Sequence, residues 1–242
     1  MIEAVTFDFW GTLYTEGPAA DRRRQLRLEY ARDFLVAMEA GVTGRQMEYA
    51  LEILAHDVEH LRATRQVGVT AEDIGSRLAR IVGVELDRRH AEELGALLSA
   101  AGREQPPKLI DGALRLLQTL HGEVKLALIC DTGLTLGHDL YAVMEADGAA
   151  QLLDHFTFSN QTHTTKPMLR QFHHTLGRLG CSPEEAVHVG DLEDTDVAGA
   201  REAGMRAIRI VRPGEDPATA ADAAVENINQ VLGVLRGWGL GT

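Results

Sequence analysis

The strongest constraint on the fold is a regular alternation of strand-like and helix-like segments in the second half of the chain. After Pro106-Pro107, short runs of apolar and β-branched residues are separated by stretches of helical periodicity, several of which end at a glycine. The predicted strands are residues 125–130, 156–158, 186–189, 206–211 and 223–225. Strands that alternate with helices favour a parallel sheet with right-handed crossovers and helices on both faces.

The first half of the chain follows a different pattern. Glu3 to Phe9 is rich in β-forming residues and ends at Gly11-Thr12, which predicts a buried strand that enters a tight loop. From about Pro18 to Arg103, helical periodicity prevails and strand signals are few. The residues that recur every four positions, and so predict one helix face, are Leu26, Tyr30, Phe34 and Met38. The helical region is therefore inserted between the first strand and the others.

These patterns together predict an α/β protein in two parts. A three-layer, Rossmann-like parallel sheet forms the core from residues 1–14 and 107–242. An inserted α-helical bundle of about four helices forms a cap domain from residues 15–106.

The charge and the cysteine content restrict the partners and the compartment. The chain has 242 residues and a formal net charge of −12, which disfavours nucleic acid and anionic membranes as partners. Only Cys130 and Cys181 are present, without a CxxC pair, which favours a reducing compartment. No basic leader and no apolar run of about 18 residues occur, so we expect a cytoplasmic protein. The sequence predicts no particular oligomeric state.

Polar residues follow the predicted strands at the edge where a parallel sheet places its ligand site. They are Asp8, the segment Cys130-Asp131-Thr132, Lys166, and Asp191 with Asp196. Two or three carboxylates form a hard oxygen site that suits Mg²⁺. A lysine beside them offsets their repulsion and can bind a phosphoryl oxygen, and one carboxylate is free to attack as a nucleophile. The predicted ligand is a small anionic, phosphorylated molecule.

Four segments, in this order, resemble the motifs of the haloacid dehalogenase superfamily. They are Phe7 to Leu13, Leu126 to Thr132, Lys166-Pro167 and Val189 to Asp196, and the helical insert resembles a cap of the C1 type by position and helicity. The resemblance implies that Asp8 is the nucleophile and that Lys166 bridges Asp8 and the phosphoryl group. It also implies that Mg²⁺ is bound by Asp8, the Trp10 main-chain carbonyl and Asp191, with Asp196 bound directly or through water. Cys130, Asp131, Thr132 and Lys166 are the substrate-binding candidates.

The sequence departs from the phosphatases of that family at two positions. Trp10 stands where they carry a second aspartate that protonates the leaving group, a loss that typically costs ~10²–10⁴ in rate. The candidate replacements are Tyr14, Glu16, His56 and His60. Cys130 stands where a Ser or Thr is usual; its thiol is a weaker donor, and it either touches the substrate or is a small buried strand-end residue.

Three other functions are compared with phosphate-ester hydrolysis. An aromatic residue after the nucleophile resembles the 2-haloacid dehalogenases, but Asp191 and Asp196 argue against their metal-independent chemistry. A cap without lysine argues against phosphonatases. Trp10 instead allows a non-catalytic or regulatory relative that binds phosphate and Mg²⁺.

Two further segments of the predicted cap are interpreted as solvent-exposed helix faces. His56-Asp57-Val58-Glu59-His60 matches the HxxEH pattern of inverted zinc proteases, but a polar face of a cap helix is the favoured interpretation. Arg22, Arg23 and Arg24 could meet an anionic substrate, although a solvated helix face is preferred.

Overall fold

The computed structural model describes residues 1–240, so the last two residues of the core prediction 107–242 lie outside the described part. A six-stranded sheet forms the centre, with strand order β5-β4-β1-β6-β7-β8, and each neighbouring pair is parallel. Its strands are β1 (Ala4–Phe7), β4 (Lys125–Cys130), β5 (His155–Phe158), β6 (Ala186–Gly190), β7 (Arg206–Ile210) and β8 (Ala223–Val225). The predicted α/β fold with a parallel sheet is confirmed.

Helices cover both faces of this sheet. They are α5 (Ala113–Leu120), α6 (Gly137–Ala146), α7 (Ser159–Thr162), α8 (Leu169–Leu179), α9 (Ala198–Glu202) and α10 (Val231–Gly237). One apolar cluster packs α5, α6 and α10 against the sheet, and a second packs α8 and α9 on strand residues such as Ala4 and Ile129. Burial of apolar side chains on both faces explains why the central strands read as nearly continuous apolar runs.

The predicted helix at 194–203 begins differently. A π-helical turn, Glu193–Val197, precedes the short helix α9. The Asp196 carboxylate accepts a hydrogen bond from the Leu192 backbone N–H, at 3.0 Å from Oδ2. π-Helical turns are frequent at functional sites, and this one turns Asp196 toward the end of β6.

Four helices lie in sequence between the two strands of a small antiparallel sheet, which is called the hairpin below although its strands are distant in sequence. The hairpin pairs β2 (Tyr14–Thr15) with β3 (Lys108–Leu109). The helices are α1 (Ala20–Ala37), α2 (Gly44–His60), α3 (Ala71–Ile81) and α4 (Arg88–Glu104). They share an apolar cluster of their own, which includes Leu35, Leu54 and Leu94. The cap domain limits 15–106 stay a prediction, and the helical region departs from the core at this hairpin.

The predicted apolar face of α1 is wrong. Leu26 is buried, but Tyr30 and Phe34 are only partly buried and Met38 is exposed, whereas Ala31 and Leu35 are buried. A helix turns about 100° per residue, so a row spaced by four residues drifts about 40° per step and leaves the buried face.

Arg23 also corrects the interpretation of the Arg22–Arg24 run as a solvated face. Arg22 and Arg24 are exposed, but Arg23 is 2% exposed. Its guanidinium pairs with the Glu16 carboxylate and donates to the Gln105 carbonyl at 2.7 Å. Arg23 therefore ties α1 to the two chain segments that join the helical region to the core.

The helical region also contacts the core next to the strand ends. The Ser99 hydroxyl of α4 donates to Asp139 of α6 at 2.5 Å and accepts from the Leu136 backbone N–H at 2.8 Å. A π-helical turn, Leu61–Arg65, continues α2, and the Thr165 hydroxyl donates to the Arg62 carbonyl at 3.2 Å. These contacts place α1, α2 and α4 over one edge of the sheet. Within residues 1–240, no helix combines the length and the apolar character that crossing a bilayer requires.

Candidate active site

Three buried carboxylates converge at the carboxyl ends of the two central strands. Asp8 follows β1, Asp191 follows β6, and Asp196 lies on the π-helical turn after β6. One carboxylate oxygen from each residue lies within 4.8 Å of the other two. They are the only group of three potential metal-ligating side chains that residues 1–240 bring together. Parallel neighbouring strands end at the same edge of the sheet, which is why residues so distant in sequence meet here.

Lys166 lies between these carboxylates. Its ammonium group is 2.5 Å from Asp8 Oδ1 and 2.6 Å from Asp196 Oδ1, and its side chain is 2% exposed. The Lys166 backbone N–H donates to Asp131 Oδ1 at 3.1 Å. A lysine with so many carboxylate partners is fixed in position and screens their mutual repulsion.

A buried histidine supports Asp196 from beneath the site. His188 lies within β6, and its Nε2 is 3.1 Å from Asp196 Oδ1. Its Nδ1 is 2.8 Å from the Thr6 hydroxyl on β1. The hydroxyl and the carboxylate together hold the ring in one orientation, so Asp196 is held from two sides.

Burial and charge shift the pKa values of these groups in different directions. Desolvation raises the pKa of Asp8 well above its usual value, although the Lys166 ammonium opposes the shift. Desolvation and the Asp196 charge raise the pKa of Asp191 to about 6. Burial acts the same way on Asp196, but Lys166 and His188 outweigh it and hold that pKa below its usual value. Burial likewise acts to lower the pKa of Lys166, yet Asp196 and Asp8 raise it, so the lysine stays charged.

The oxygen atoms of this cluster fit a divalent cation. Asp191 Oδ1 is buried and has no hydrogen-bond partner among the described residues, although buried polar atoms are normally paired. Burial, together with the neighbouring carboxylate charges, raises the pKa values of Asp8 and Asp191, so a nearby cation would favour their charged forms. A hard cation with oxygen ligands satisfies both the unpaired atom and the charge.

Two glycines allow the groups to approach one another. Gly11 has a φ of +78°, and a Cβ at this position would collide with the side chains of Asp191 and Arg212. A Cβ at Gly190 would collide with the Asp196 side chain. The loop after β1 and the end of β6 therefore need glycine, and the sequence has Gly11 and Gly190 at these positions.

The three substrate-binding candidates at and just after the end of β4 point in different directions. Asp131 lines the cleft over the carboxylates, burial raises its pKa to about 6, and its Oδ2 has no partner within residues 1–240. Cys130 is completely buried in the apolar core cluster and does not line the cleft, as a small strand-end residue would. The Thr132 hydroxyl lies 3.1 Å from the Ser159 hydroxyl, also outside the cleft lining.

Most of the candidate proton donors do not line the cleft above the carboxylates. Tyr14 stacks on Phe9 with ring centroids 4.4 Å apart, inside the core, and burial raises the pKa of its phenol. His56 and His60 are exposed and lie outside the cleft lining. Glu16 lines the cleft, but it pairs with Arg23. Three of the four candidates are therefore placed where they reach no substrate.

The HxxEH segment forms no zinc site in the described residues. His56 and His60 stack with ring centroids 6.5 Å apart, and no third ligand within residues 1–240 completes a group with them. The polar helix face is thus the interpretation that the structure favours.

An open cleft of about 900 Å³ lies between the helical region and the carboxylates. Trp10 and Lys166 line it together with the acidic cluster. It is also lined by arginines that the sequence motifs did not single out, namely Arg27 and Arg62 from the helical region and Arg212 from the segment after β7. Arg212 pairs with Asp191, and Arg62 pairs with Glu59. No short motif marks these arginines, because their position depends on how the helices dock.

The family assignment rests on a family model and on relatives. The model of the haloacid dehalogenase-like hydrolases matches residues 2–204. The chain belongs to that family. A glyceraldehyde 3-phosphate phosphatase of Methanopyrus kandleri is 29% identical over 232 residues, which cover 88% of this chain and 85% of the relative. A phosphoserine phosphatase of Thermus thermophilus is 41% identical over 89 residues, which cover 34% of this chain and 35% of the relative.

Solved structures of the family share the fold. A phosphatase from Thermococcus onnurineus aligns with a TM-score of 0.69 at 22% identity, covering 98% of this chain and 99% of the other. A 2-haloacid dehalogenase from Pseudomonas syringae aligns with a TM-score of 0.70 at 24% identity, covering 99% and 100%. Phosphatases and dehalogenases of this family therefore have the same architecture, and the difference between their activities lies in the site residues.

Proposed function

We propose that this haloacid dehalogenase-like hydrolase cleaves a small phosphate ester with Mg²⁺ through a covalent intermediate on Asp8. The observation that carries the proposal is the buried cluster of Asp8, Asp191 and Asp196 around Lys166. The phosphatase relatives support phosphate esters as the substrate class. The presence of both Asp191 and Asp196 argues against the metal-independent dehalogenase alternative.

The reaction takes two steps at Asp8. An Asp8 carboxylate oxygen attacks phosphorus, the bond from phosphorus to the ester oxygen breaks, and the leaving alkoxide takes a proton from water in the cleft, because Trp10 cannot donate one. Water then attacks the aspartyl phosphate, which releases inorganic phosphate and restores the carboxylate. Lys166 holds Asp8 in place and stabilises the negative charge on the transferring group. Asp131 accepts a hydrogen bond from the Lys166 backbone N–H. The Thr132 N–H is bonded to Ser159, so the N–H groups proposed to bind phosphoryl oxygens are those of Gly133 and Leu134, which line the cleft.

The magnesium ligands are proposed to be Asp8, the Trp10 carbonyl and Asp191, with Asp196 bound directly or through water. When bound, the cation offsets the negative charge of the phosphoryl group and of the carboxylates. Arg212 pairs with Oδ2 of Asp191, which leaves Asp191 Oδ1 as the oxygen proposed to bind the cation.

The cation should be detectable through stability. We expect Mg²⁺ to raise the free energy of unfolding, by about 2.7 kcal/mol at a concentration 100 times its dissociation constant. Asp191→Asn should weaken binding at least about 10- to 100-fold, since changes beyond the ligands themselves already cost that much. Urea unfolding with and without Mg²⁺ measures the gain in stability, and isothermal titration calorimetry measures the affinity. Asp194→Asn is the matched control because Asp194 is exposed in the same motif; equal loss of affinity in both variants would contradict the ligand set.

A second candidate function is binding of phosphate and Mg²⁺ without rapid turnover. Trp10 lines the cleft at the position of the usual acid, and the candidate donor that lines the cleft, Glu16, is held by Arg23. A site of this kind keeps its affinity but lacks a group that protonates the leaving alcohol.

Substitution of Trp10 separates the two candidates. We expect Trp10→Asp to hydrolyse a phosphomonoester faster than the parent, and at least about tenfold faster than Trp10→Asn, given that general acids contribute ~10²–10⁴. Trp10→Asn is the matched control because it has the same size and no transferable proton. Equal steady-state rates in the two folded variants would mean that another group transfers the proton.

The proposed activity is tested by a screen of phosphomonoesters and 2-haloacids with and without Mg²⁺. The expected result is Mg²⁺-dependent release of phosphate from at least one ester and no halide release. Halide release without Mg²⁺ would favour the dehalogenase alternative. Binding of phosphate and Mg²⁺ without any turnover would favour the non-catalytic one.

A further inference from the structure

Arg27 differs from the other arginines of the cleft in the way its charge is compensated. Arg23 pairs with Glu16, Arg62 with Glu59, and Arg212 with Asp191. Arg27 has no carboxylate partner within residues 1–240. Its guanidinium Nε donates to the Leu98 carbonyl at 3.1 Å and its Nη2 to the Thr135 hydroxyl at 2.7 Å, both uncharged acceptors.

The surroundings of Arg27 do not favour a cation without a partner. Burial and the neighbouring Arg23 charge lower the pKa of Arg27 to about 10, and only Glu16 acts against them. A partly buried charge without a counter-ion is costly, so positions of this kind are normally paired. Nη1 has no hydrogen-bond acceptor among the described residues, and Arg27 lines the cleft. The unsatisfied donor and the unsatisfied charge are thus available to a ligand in the cleft.

The position of Arg27 relative to the phosphoryl site is fixed through Thr135. Arg27 binds Thr135 in the loop after β4, and Asp131, which contacts Lys166, opens the same loop. Four residues of chain span at most about 14 Å, and Asp131 and Thr135 line the same cleft as Arg27 and Lys166. Gly102 of α4 packs directly on Thr135, where a Cβ would collide with the threonine side chain, so this part of the wall is closely packed.

From these contacts we infer that Arg27 binds a second anionic group of the substrate, so that the natural substrate is a phosphate ester that also carries a carboxylate or a second phosphate. This inference rests on the proposed hydrolysis at Asp8. The guanidinium is planar and can donate along more than one edge. Its Nε and Nη2 stay bonded to Leu98 and Thr135, while Nη1 donates to the anion. Arg27 is thus a specificity-determining residue on the side of the cleft formed by the helical region.

The test compares two probes that differ only in the second group. In 3-phosphoglycerate a carboxylate stands where glycerol 3-phosphate has a hydroxymethyl group. We expect kcat/KM of the parent protein to favour 3-phosphoglycerate by roughly 10- to 100-fold, the usual value of one charge-assisted hydrogen-bond pair. Glycerol 1,3-bisphosphate, as a third probe, distinguishes a second phosphate from a carboxylate as the preferred group.

The ratio of the two kcat/KM values should fall toward one in Arg27→Gln and stay above it in Arg27→Lys. Arg24→Gln is the matched control because Arg24 lies on the same helix, is exposed and lines no part of the cleft. A ratio is used because it is insensitive to a general loss of folded protein. No preference in the parent for either anionic probe, or a preference that survives in Arg27→Gln, would overturn the inference.

Binding measurements separate this inference from the proposed hydrolysis. Calorimetry with Asp8→Asn and Mg²⁺ gives the affinities of 3-phosphoglycerate, glycerol 3-phosphate and glycerol 1,3-bisphosphate without turnover. If neither ester is cleaved, but the carboxylate probe binds at least tenfold more tightly and loses this advantage when Arg27→Gln is added, the role of Arg27 stands and the hydrolase proposal fails. Equal affinities for all three probes overturn the role of Arg27, whatever the activity.

Discussion

The Asp8→Asn variant should lose Mg²⁺-dependent phosphate release by at least ~10⁴-fold, because an amide cannot attack phosphorus and removal of a nucleophile costs that much or more. The substitution keeps the size of the side chain and one oxygen for Lys166, so the far-ultraviolet spectrum and the cooperative unfolding transition should remain. A steady-state phosphate assay with saturating substrate measures the loss.

The control for this prediction is Asp111→Asn, the same chemical change at a carboxylate that is 93% exposed and pairs only with Lys108. It should retain the parent rate within about twofold, as surface substitutions usually have little effect. Undiminished phosphate release from a folded Asp8→Asn variant would remove the nucleophile assignment and, with it, the proposed covalent intermediate.

The Lys166→Met variant should be less stable by about 3–5 kcal/mol at neutral pH without Mg²⁺, since it leaves Asp8 and Asp196 buried without their shared cation. Without the lysine, the pKa of Asp8, which burial already raises, rises further, and burial raises the pKa of Asp196 above that of the unfolded chain as well. The folded state then binds more protons than the unfolded state, so stability decreases as the pH rises and recovers as the pH falls. Urea unfolding at neutral and mildly acidic pH measures both the size and the sign.

Lys125→Met provides the contrast, because Lys125 is exposed and lies 3.5 Å from Asp154 at the surface. It should change the free energy of unfolding by less than about 1 kcal/mol, with no recovery at mildly acidic pH. Added Mg²⁺ should restore part of the stability of Lys166→Met and none of the small loss in Lys125→Met. If the two lysine variants unfolded alike, the balance of charge within the cluster would have to be assigned differently.

The order of the elements and the candidate carboxylates of the site could be predicted from the sequence. Apolar strand segments alternate with helices, and a parallel sheet brings the carboxyl ends of its strands to one edge. Asp8 and Asp191 each follow such a strand, so their meeting could be predicted without coordinates. Lys166 precedes a helix, α8, and does not directly follow a predicted strand. Its proposed role could therefore be predicted only from the ordered set of motifs.

The tertiary structure alone decided which side chains face the cleft. The rotation of α1 buries Arg23 and brings Arg27 onto Thr135, although the periodicity of the sequence suggested another face. Cys130 points into the core, and His56 and His60 point outward, because strand alternation and helix docking set those directions. Short-range patterns fix backbone elements through local sterics, whereas the partner of a side chain can come from a distant segment. Arg27 and Thr135 are 108 residues apart in sequence, and Thr6 and His188 are 182 residues apart.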